Sequence, residues 1–280
     1  MKIYLDCYPC FLRQAIHAAR LAGCDSSRQY AVVSNTLKLL QDLQPGMTPP
    51  EIARLVHGMV RDESSVADPY VDAKADSTRA ALALYPRLRA LVDDSDDPLT
   101  VALRLSIAGN IIDLGVADGY HDLWQTVERV LAQPYAIDHE AALRAGLTRA
   151  DHVLFLADNA GETVFDRLLI EAIDRPVIYA VKGSPTLNDA TREDAVAAGL
   201  DTVARIVSNG TDAPGTILPL CSEEFLEIFR SAPLVIAKGQ ANYETLSDAG
   251  SRVFCLLQIK CPVIAEDIGS PVGGIVIRQG

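Results

Sequence analysis

The chain has 280 residues, of which 49% are hydrophobic and 22% are charged, and its formal net charge is −12. This composition is typical of a globular protein and excludes a disordered one. The acidic balance argues against a nucleic-acid-binding surface, which would be basic, and no apolar run approaches the roughly 18 residues of a membrane span. We therefore expect neither nucleic acid nor a membrane as a partner.

The cysteines and histidines narrow the class further. The N-terminal sequence MKIYLDC reaches a carboxylate before an apolar signal region can form, so a secretory signal is not expected. Six cysteines in a long chain of this kind are typical of reduced thiols and predict a cytoplasmic protein. The five histidines lie far apart and none has HxxxH or HExxH spacing, which disfavours a histidine-built zinc enzyme.

Residues 1–146 are predicted to form an all-helical N-terminal domain. Periodicity near 3.6 predicts helices over 9–22, 27–43, 50–62, 70–92, 99–112, 120–132 and 137–145. The breaks between these segments fall mainly at glycine, proline and acidic residues. This half of the chain therefore reads as a set of packed helices.

Residues 147–280 are predicted to form a Rossmann-like α/β domain that binds the metal. Short β-rich runs lie at 152–157, 177–182, 202–207, 233–237, 253–259 and 273–278, and helices are expected near 162–173, 190–198, 222–231 and 241–248. Continuous apolar strands that alternate with helices indicate a mainly parallel sheet covered on both faces. The predicted fold class is therefore α/β.

Polar residues and glycines follow four consecutive predicted strands. Their sequences are DNAGE (158–162), KGSPTLND (182–189), SNGTDAPG (208–215) and KGQANYE (238–244). Because ligands of an open α/β sheet bind beyond the carboxyl ends of its strands, we expect these segments to form one site. Each segment alone is also ordinary turn chemistry, so the recurrence at successive strand ends is what favours a site.

The residue types at these strand ends suit a metal ion and a phosphate group. Asp158, Asn159 and Asp189 offer hard oxygen ligands, which suit partly hydrated Mg²⁺ or Mn²⁺. Lys238 and Lys182 would balance phosphoryl charge, and the glycine after each lysine allows backbone N–H groups to approach phosphate oxygens. Such a set favours metal-assisted transfer of a phosphoryl group to water.

Simpler structural roles remain open for several of these residues. Asp189 could be only a helix N-cap, and Lys182 and Lys238 could be solvated strand ends. Glu162 is expected to complement a helix N-terminus, and Asp212 is expected to form a turn.

Other catalytic frameworks lack their signatures in this sequence. There is no GxxxxGK[ST] phosphate loop, no GxGxxG after a strand and no GxSxG elbow. The first strand does not end in DxD, so an aspartyl-phosphate mechanism on that pattern lacks its second carboxylate. A small-molecule transferase on the same sheet is disfavoured because no glycine fingerprint for its cofactor is present.

A C-x-x-C pair, Cys7 and Cys10, opens the first predicted helix. Such a pair can lower a thiol pKa or supply half of a zinc site. Since the sequence has no second CxxC, a metal site would need Cys24, Cys255 or Cys261 through space. Packing, metal binding and redox chemistry all remain open for this pair. The alternative function is therefore a metal- or redox-responsive binding protein centred on Cys7 and Cys10.

The chain also resembles a known family across almost its whole length. The motifs that carry the resemblance are DCYPCFLRQ (6–14), DPYVDAK (68–74), AGNIIDLG (108–115), LADNAGE (156–162), VKGSPTLNDAT (181–191), NGTDAPGT (209–216), AKGQANYE (237–244) and KCPVIA (260–265). Together and in this order, they resemble the metal-dependent damage-control phosphatases, formerly a domain-of-unknown-function family. The resemblance is to the prokaryotic branch with an N-terminal CxxC.

The resemblance implies a helical domain, a Rossmann-like domain and a metal site. The positions that match the metal ligands are Asp158, Asn159 and Asp189, and Mg²⁺, Mn²⁺, Co²⁺ or Ni²⁺ would support hydrolysis of phosphate monoesters on small metabolites. The resemblance also implies that a GNxxD motif, here Asn110 and Asp113, belongs to the active-site region.

We therefore predict a cytoplasmic metal-dependent phosphatase. The metal would polarise a phosphoryl oxygen and orient the attacking water. The predicted catalytic residues are Asp158, Asp189 and Lys238, of which Lys238 would stabilise the transferred charge. The predicted substrate-binding residues are Asn110, Asp113, Lys182, Gly239 and Asn242. The substrate would be a small phosphorylated metabolite, such as a sugar phosphate or a phosphopantetheine-like compound.

Overall fold

A helical region precedes the sheet in the part of the chain that the structure describes. The structure is a computed structural model, and it describes residues 3–44, 46–111 and 123–280. The helices of this region are α1 (Cys7–Leu21), α2 (Ser26–Gln41), α3 (Pro49–Ser64), α4 (Val71–Asp93), α5 (Pro98–Ile111) and α6 (Leu123–Ala132). The predicted helical start of the chain is thereby confirmed.

The described residues form one seven-stranded sheet. Its strands are β1 (Tyr135–Asp138), β2 (Val153–Leu156), β3 (Val177–Val181), β4 (Arg205–Ser208), β5 (Val235–Lys238), β6 (Val253–Gln258) and β7 (Ile275–Gln279). The order across the sheet is β1-β7-β6-β5-β2-β3-β4, and every neighbouring pair is parallel except β6 with β7. The predicted α/β fold with a mainly parallel sheet is confirmed.

Helices cover both faces of this sheet. They are α7 (Glu140–Arg149), α8 (Thr163–Ala172), α9 (Arg192–Ala197), α10 (Glu223–Ser231), α11 (Gly239–Leu246) and α12 (Pro262–Ile268). All four residues of β2 are buried. Val153 and Phe155 belong to the apolar core on one face, and Leu154 and Leu156 belong to the core on the other. This alternation is why the strand reads as a continuous apolar run.

One predicted helix has the wrong boundaries, and one helix was not predicted. Residues 137–145 were expected to be one helix, but Tyr135–Asp138 is the strand β1 and the helix begins at Glu140. The short strand pairs in parallel with β7, and its residues are alternately half-buried and exposed, so sheet pairing outweighs the helical pattern. Helix α12 was not expected, although Pro262 at its first turn is a favourable helix start.

The helical region and the sheet share an apolar core. Leu88 of α4 and Leu103 of α5 lie in the same buried cluster as Phe155 of β2 and Ile277 of β7. A separate cluster, which includes Phe11 and Ile52, holds α1 and α3 together. The division into domains at residues 146 and 147 stays a prediction. Among the described residues, no helix has the length and apolar character needed to cross a membrane.

Candidate active site

The three predicted metal-binding residues lie together at the carboxyl end of β2. Asp158 and Asn159 follow this strand after Ala157, and the strand lies between β5 and β3 in the sheet. Asn159 and Asp189 form an isolated antiparallel bridge, and the Ala190 N–H donates to the Asp158 carbonyl oxygen at 2.8 Å. The backbone after β3 therefore brings Asp189 to the end of β2, as expected for neighbouring parallel strands.

The Asp158 carboxylate is held by two amides and packs against a glycine. Its Oδ2 accepts hydrogen bonds from Asn110 Nδ2 at 2.9 Å and from Asn159 Nδ2 at 3.2 Å. Gly239 begins α11 with φ of 81°, and a Cβ atom there would lie 1.8 Å from the same Oδ2. Only glycine leaves room for this carboxylate. The contact of Gly239 with a phosphate stays a prediction.

Glu162 accepts hydrogen bonds from three side chains at this end of the sheet. It ends a 3₁₀ turn over Ala160–Glu162, and its side chain makes no capping hydrogen bond to α8. Instead, Oε1 accepts from Asn110 Nδ2 at 2.8 Å and from Asn159 Nδ2 at 2.6 Å, while Oε2 accepts from Lys238 Nζ at 3.0 Å. Glu162 lies at the start of α8 as expected, but its carboxylate turns inward to these donors.

Lys238 is completely buried between two carboxylates. Besides Glu162, its ammonium group donates to Asp166 Oδ1 at 2.6 Å. Burial alone would lower the pKa of Lys238, but Asp166 and Glu162 raise it, so the ammonium group stays charged. In this arrangement Lys238 reaches the site through Glu162. Its direct contact with a phosphoryl group stays a prediction.

Asp166 is satisfied from three sides. Ser106 Oγ donates to its Oδ1 and the Tyr179 hydroxyl donates to its Oδ2, each at 2.8 Å. Burial, and next the charge of Asp166, raise the pKa of Tyr179, so the phenol stays protonated as a donor. We refer to Asn110, Asp158, Asn159, Glu162, Asp166 and Lys238 as the buried network.

Helices α5 and α8 supply matched pairs to this network. Ser106 and Asn110 are four residues apart on α5, and Glu162 and Asp166 are four residues apart at the start of α8. Residues with this spacing lie on one helix face. Because Ser106 bonds to Asp166 and Asn110 bonds to Glu162, the two faces are in register.

Lys182 lies beside Asp189 at the end of β3. Its Nζ is 3.3 Å from Asp189 Oδ2, and it also donates to the Gly215 carbonyl oxygen. Lys182 is buried, so a solvated strand end is not its state in this structure. The contact of Lys182 with substrate stays a prediction, and its position allows it to offset the charge of Asp189.

Asn242 anchors the first turn of α11. Its Nδ2 donates to the carbonyl oxygens of Ala157 and Lys238, at 3.1 and 2.7 Å, and its Oδ1 accepts from Thr216 Oγ1 at 2.7 Å. The side chain is fully buried, so it fixes the ends of β2 and β5 relative to each other. Its contact with substrate stays a prediction. Asp113 lies outside the described residues.

Asp212 joins the loop after β4 to the helical region. Its Oδ1 accepts from Arg54 Nε at 2.5 Å and its Oδ2 from Arg61 Nη2 at 2.6 Å. Arg61 also donates to the Pro185 carbonyl oxygen at 3.2 Å, in the segment that leads to Asp189. Burial alone would raise the pKa of Asp212, but the two guanidinium groups hold it below its usual value. We call Arg54, Arg61 and Asp212 the α3 clasp.

The chain matches one family model over almost its whole length. Residues 3–276 match the model of the damage-control phosphatase ARMT1-like domain. The chain belongs to this family. The family resemblance predicted from the motifs is thereby confirmed, while membership of the CxxC-containing branch stays a prediction.

Curated relatives and a solved structure agree with this membership. A damage-control phosphatase of Pyrococcus horikoshii is 34% identical, covering 100% of this chain and 98% of the relative. A damage-control phosphatase of Archaeoglobus fulgidus is 33% identical, covering 99% of each chain. A crystal structure of a DUF89 family protein from Pyrococcus horikoshii has a TM-score of 0.89 at 33% identity, covering 100% of this chain and 99% of that one.

The site has the charge and the donor atoms for a divalent cation. Its buried ionisable groups are the carboxylates of Asp158, Glu162, Asp166 and Asp189 and the ammonium groups of Lys182 and Lys238. Counted at their formal charges, four carboxylates and two ammonium groups sum to −2, which one divalent cation would offset. In the part of the chain that the structure describes, no three His, Cys, Asp or Glu residues are grouped to hold a metal. Two carboxylates, Asp158 and Asp189, are a small ligand set for a cation. The Asn159 amide oxygen and water molecules would complete it, as suits a hard cation.

The N-terminal thiol of Cys7 lies within electrostatic reach of Glu244 on α11 and of Cys261. Burial raises the pKa of Cys7, and the nearby Glu244, Cys261 and Cys10 raise it further. Gln240 Nε2 contacts Cys261 Sγ at 3.6 Å and donates to Glu244 Oε1 at 3.1 Å. Of the three cysteines that could join the CxxC pair through space, Cys261 is therefore its neighbour in this fold.

The sequence contained a signal for the members of the network that were missed. Glu162 and Asp166 are acidic residues four apart at a predicted helix start, and Ser106 and Asn110 are polar residues four apart in an apolar helix. Polar side chains in matching i, i+4 positions on two apolar helices indicate a shared buried contact. Asn110 was implied only by the family resemblance.

Proposed function

We propose that the chain is a metal-dependent phosphatase that hydrolyses phosphate monoesters of small metabolites. The observation that carries the proposal is the convergence of Asp158, Asn159 and Asp189 at the end of β2. Membership of the damage-control phosphatase family supports a phosphatase that acts on damaged metabolites. Sugar phosphates and phosphopantetheine-like compounds are the substrate classes we would test first.

The proposed mechanism assigns each residue by its place. Asp158, Asn159 and Asp189 would hold Mg²⁺, Mn²⁺, Co²⁺ or Ni²⁺, and a bound divalent cation supplies charge neutralisation and activation of water. Asn110 holds the Asp158 carboxylate in place through the 2.9 Å hydrogen bond. Lys182 offsets the charge of Asp189.

The phosphate would lie beside the first turn of α11. Gly239 packs against Asp158 there, and backbone N–H groups at a helix start bind phosphate oxygens well. Asn242 keeps that turn in place through its three buried hydrogen bonds. Asp113 keeps its predicted role in substrate binding. The free cysteines of the chain support the proposed cytoplasmic location.

The test is a phosphatase assay of metal-free protein to which each of the four cations is added separately. The substrates are p-nitrophenyl phosphate and a panel of phosphometabolites. We expect metal-dependent activity in the wild type that falls to background in Asp158→Ala. The matched control is Asp151→Ala, whose side chain is 86% exposed and which should keep full activity. Equal activity of Asp158→Ala and the wild type would refute the assignment.

A second candidate function rests on the thiols of Cys7, Cys10 and Cys261. The proximity of Cys261 and Glu244 to Cys7 favours a thiol-centred binding protein of the metal- or redox-responsive kind. This candidate predicts bound zinc, or changes that depend on thiol oxidation, in a protein without phosphatase activity. Elemental analysis of the purified wild type and of Cys7→Ser separates the two candidates, because only the second predicts loss of zinc on substitution.

A further inference from the structure

We propose that Glu162 is a positioning residue that turns the Asn159 amide so that its oxygen faces the metal site. This inference rests on the proposed function, since it assumes that Asn159 is a ligand. Glu162 itself has no exposed surface, so it cannot touch substrate. Its effect must therefore pass through the side chains that it contacts.

The hydrogen bonds of Asn159 fix the direction of its amide. Its Nδ2 donates to Glu162 Oε1 at 2.6 Å and to Asp158 Oδ2 at 3.2 Å. An amide nitrogen has two hydrogens, and both are used by these carboxylates. A flipped amide would place its oxygen against two carboxylate oxygens, which is repulsive. Oδ1 therefore points away from Glu162 and is the atom available to a cation.

Lys238 holds the Glu162 carboxylate in the orientation that this role requires. Its ammonium group donates to Glu162 Oε2 at 3.0 Å, so the opposite oxygen, Oε1, faces the amides. A charged acceptor makes shorter and stronger hydrogen bonds than a neutral one. Lys238 thus orients Glu162, and Glu162 in turn orients the amide of Asn159.

Asn110 is oriented by the same carboxylate. Its Nδ2 donates to Glu162 Oε1 at 2.8 Å and to Asp158 Oδ2 at 2.9 Å, and its Oδ1 accepts from the Gln258 N–H at 3.2 Å. Glu162 therefore orders both amides that hold Asp158. Partners of metal ligands commonly change metal affinity by about 10- to 100-fold when they are replaced.

The decisive variant is Glu162→Gln, compared with Asp166→Asn. Both residues are fully buried and both bond to Lys238, but only Glu162 contacts the amides of Asn110 and Asn159. The measurement is Mn²⁺ affinity of the metal-free protein by titration calorimetry, together with the absorption spectrum of the Co²⁺ form. We expect Glu162→Gln to weaken Mn²⁺ binding at least about tenfold and to change the cobalt spectrum. Asp166→Asn should keep the Mn²⁺ affinity of the wild type within about threefold and leave the cobalt spectrum unchanged.

Each result decides the proposal. Unchanged binding in Glu162→Gln would overturn it, and so would equal weakening in Glu162→Gln and Asp166→Asn, since that pattern reports only a structural role. A wild type that binds no divalent cation would overturn the proposed function and this inference with it. Binding without phosphatase activity would reject the proposed function while leaving the positioning role standing.

Discussion

The buried network and the α3 clasp both join the helical region to the carboxyl ends of the strands, but in different surroundings. Glu162, Asp166 and Lys238 have no exposed surface, whereas the side chains of the clasp are 22 to 38% exposed. Both contain ion pairs with distances of 2.5 to 3.0 Å. Distance alone therefore does not distinguish the two groups.

The difference lies in what the removal of one partner leaves behind. A buried charge that loses its partner has no water to replace it, whereas an exposed charge is solvated at once. We infer that the network fixes the shape of the site and that the clasp only tethers α3 to the adjacent loops.

Replacing Lys238 with methionine should produce the largest loss of stability. It leaves Glu162 and Asp166 buried together without their cation, which costs about 3–5 kcal/mol in other proteins. Urea unfolding measures the free energy directly. Arg61→Met removes a clasp cation with a similar side-chain length, and its loss should stay below about 1 kcal/mol. Similar losses in the two variants would break the distinction between network and clasp.

Glu244 is a buried carboxyl outside both the buried network and the α3 clasp, and it accepts a hydrogen bond from the Gln240 amide. Burial raises its pKa to about 7 from an ordinary value of 4.5. The Glu244 carboxyl therefore ionises at lower pH in the unfolded chain than in the folded one. Its contribution to the free energy of unfolding falls as pH rises from about 4.5 to about 7. Glu244→Gln should be more stable than the wild type at pH 8 by as much as about 3 kcal/mol, with the gain vanishing near pH 4.

Unfolding across this pH range, with Glu223→Gln as the control, tests the Glu244 prediction. Glu223 is 81% exposed, and its replacement should leave the pH profile of the wild type unchanged. A gain in Glu244→Gln that is equal at pH 4 and pH 8 would show that the effect is not ionisation.

Gly109 tests how closely α5 must approach α8 for the network to form. A Cβ atom at Gly109 would lie 2.9 Å from Phe165 Cβ, between the two helices that carry the paired polar residues. Gly109→Ala should therefore cost about 1–3 kcal/mol by overpacking and weaken Mn²⁺ binding, because Asn110 moves with the helix. Gly58→Ala, at an open position of α3, should be stabilising by about 0.5–1 kcal/mol. Gains in both variants would contradict this account.

The smallest effect is expected for Asp212→Asn in the clasp. The pKa of Asp212 is held below its ordinary value of 3.8, so its stabilisation is present above that value and is lost as pH falls through the lower one. At pH 7 the variant should lose less than about 1 kcal/mol, and the difference should disappear in strong acid. Thermal unfolding at pH 7 and pH 2 measures both.

The sequence predicted where the proposed ligand residues meet better than it predicted the contacts of their neighbours. Asp158 and Asp189 follow apolar strands, and parallel strands end at one edge, so their meeting could be anticipated. The partners of Lys238 could not be anticipated, because the sequence around a lysine at a strand end does not indicate whether its side chain is solvated or buried. The strand Tyr135–Asp138 was missed because four residues carry too little periodicity to outweigh an adjacent helical pattern.

The most direct test of the central claim is the stoichiometry of divalent-cation binding at Asp158. Metal-free protein is titrated with Mn²⁺, and free ion is measured by electron paramagnetic resonance in the wild type, Asp158→Ala and the exposed control Asp151→Ala. We expect one ion per chain in the wild type and in the control, and loss of that ion in Asp158→Ala. Binding of Mn²⁺ by Asp158→Ala with the stoichiometry and affinity of the wild type would contradict it.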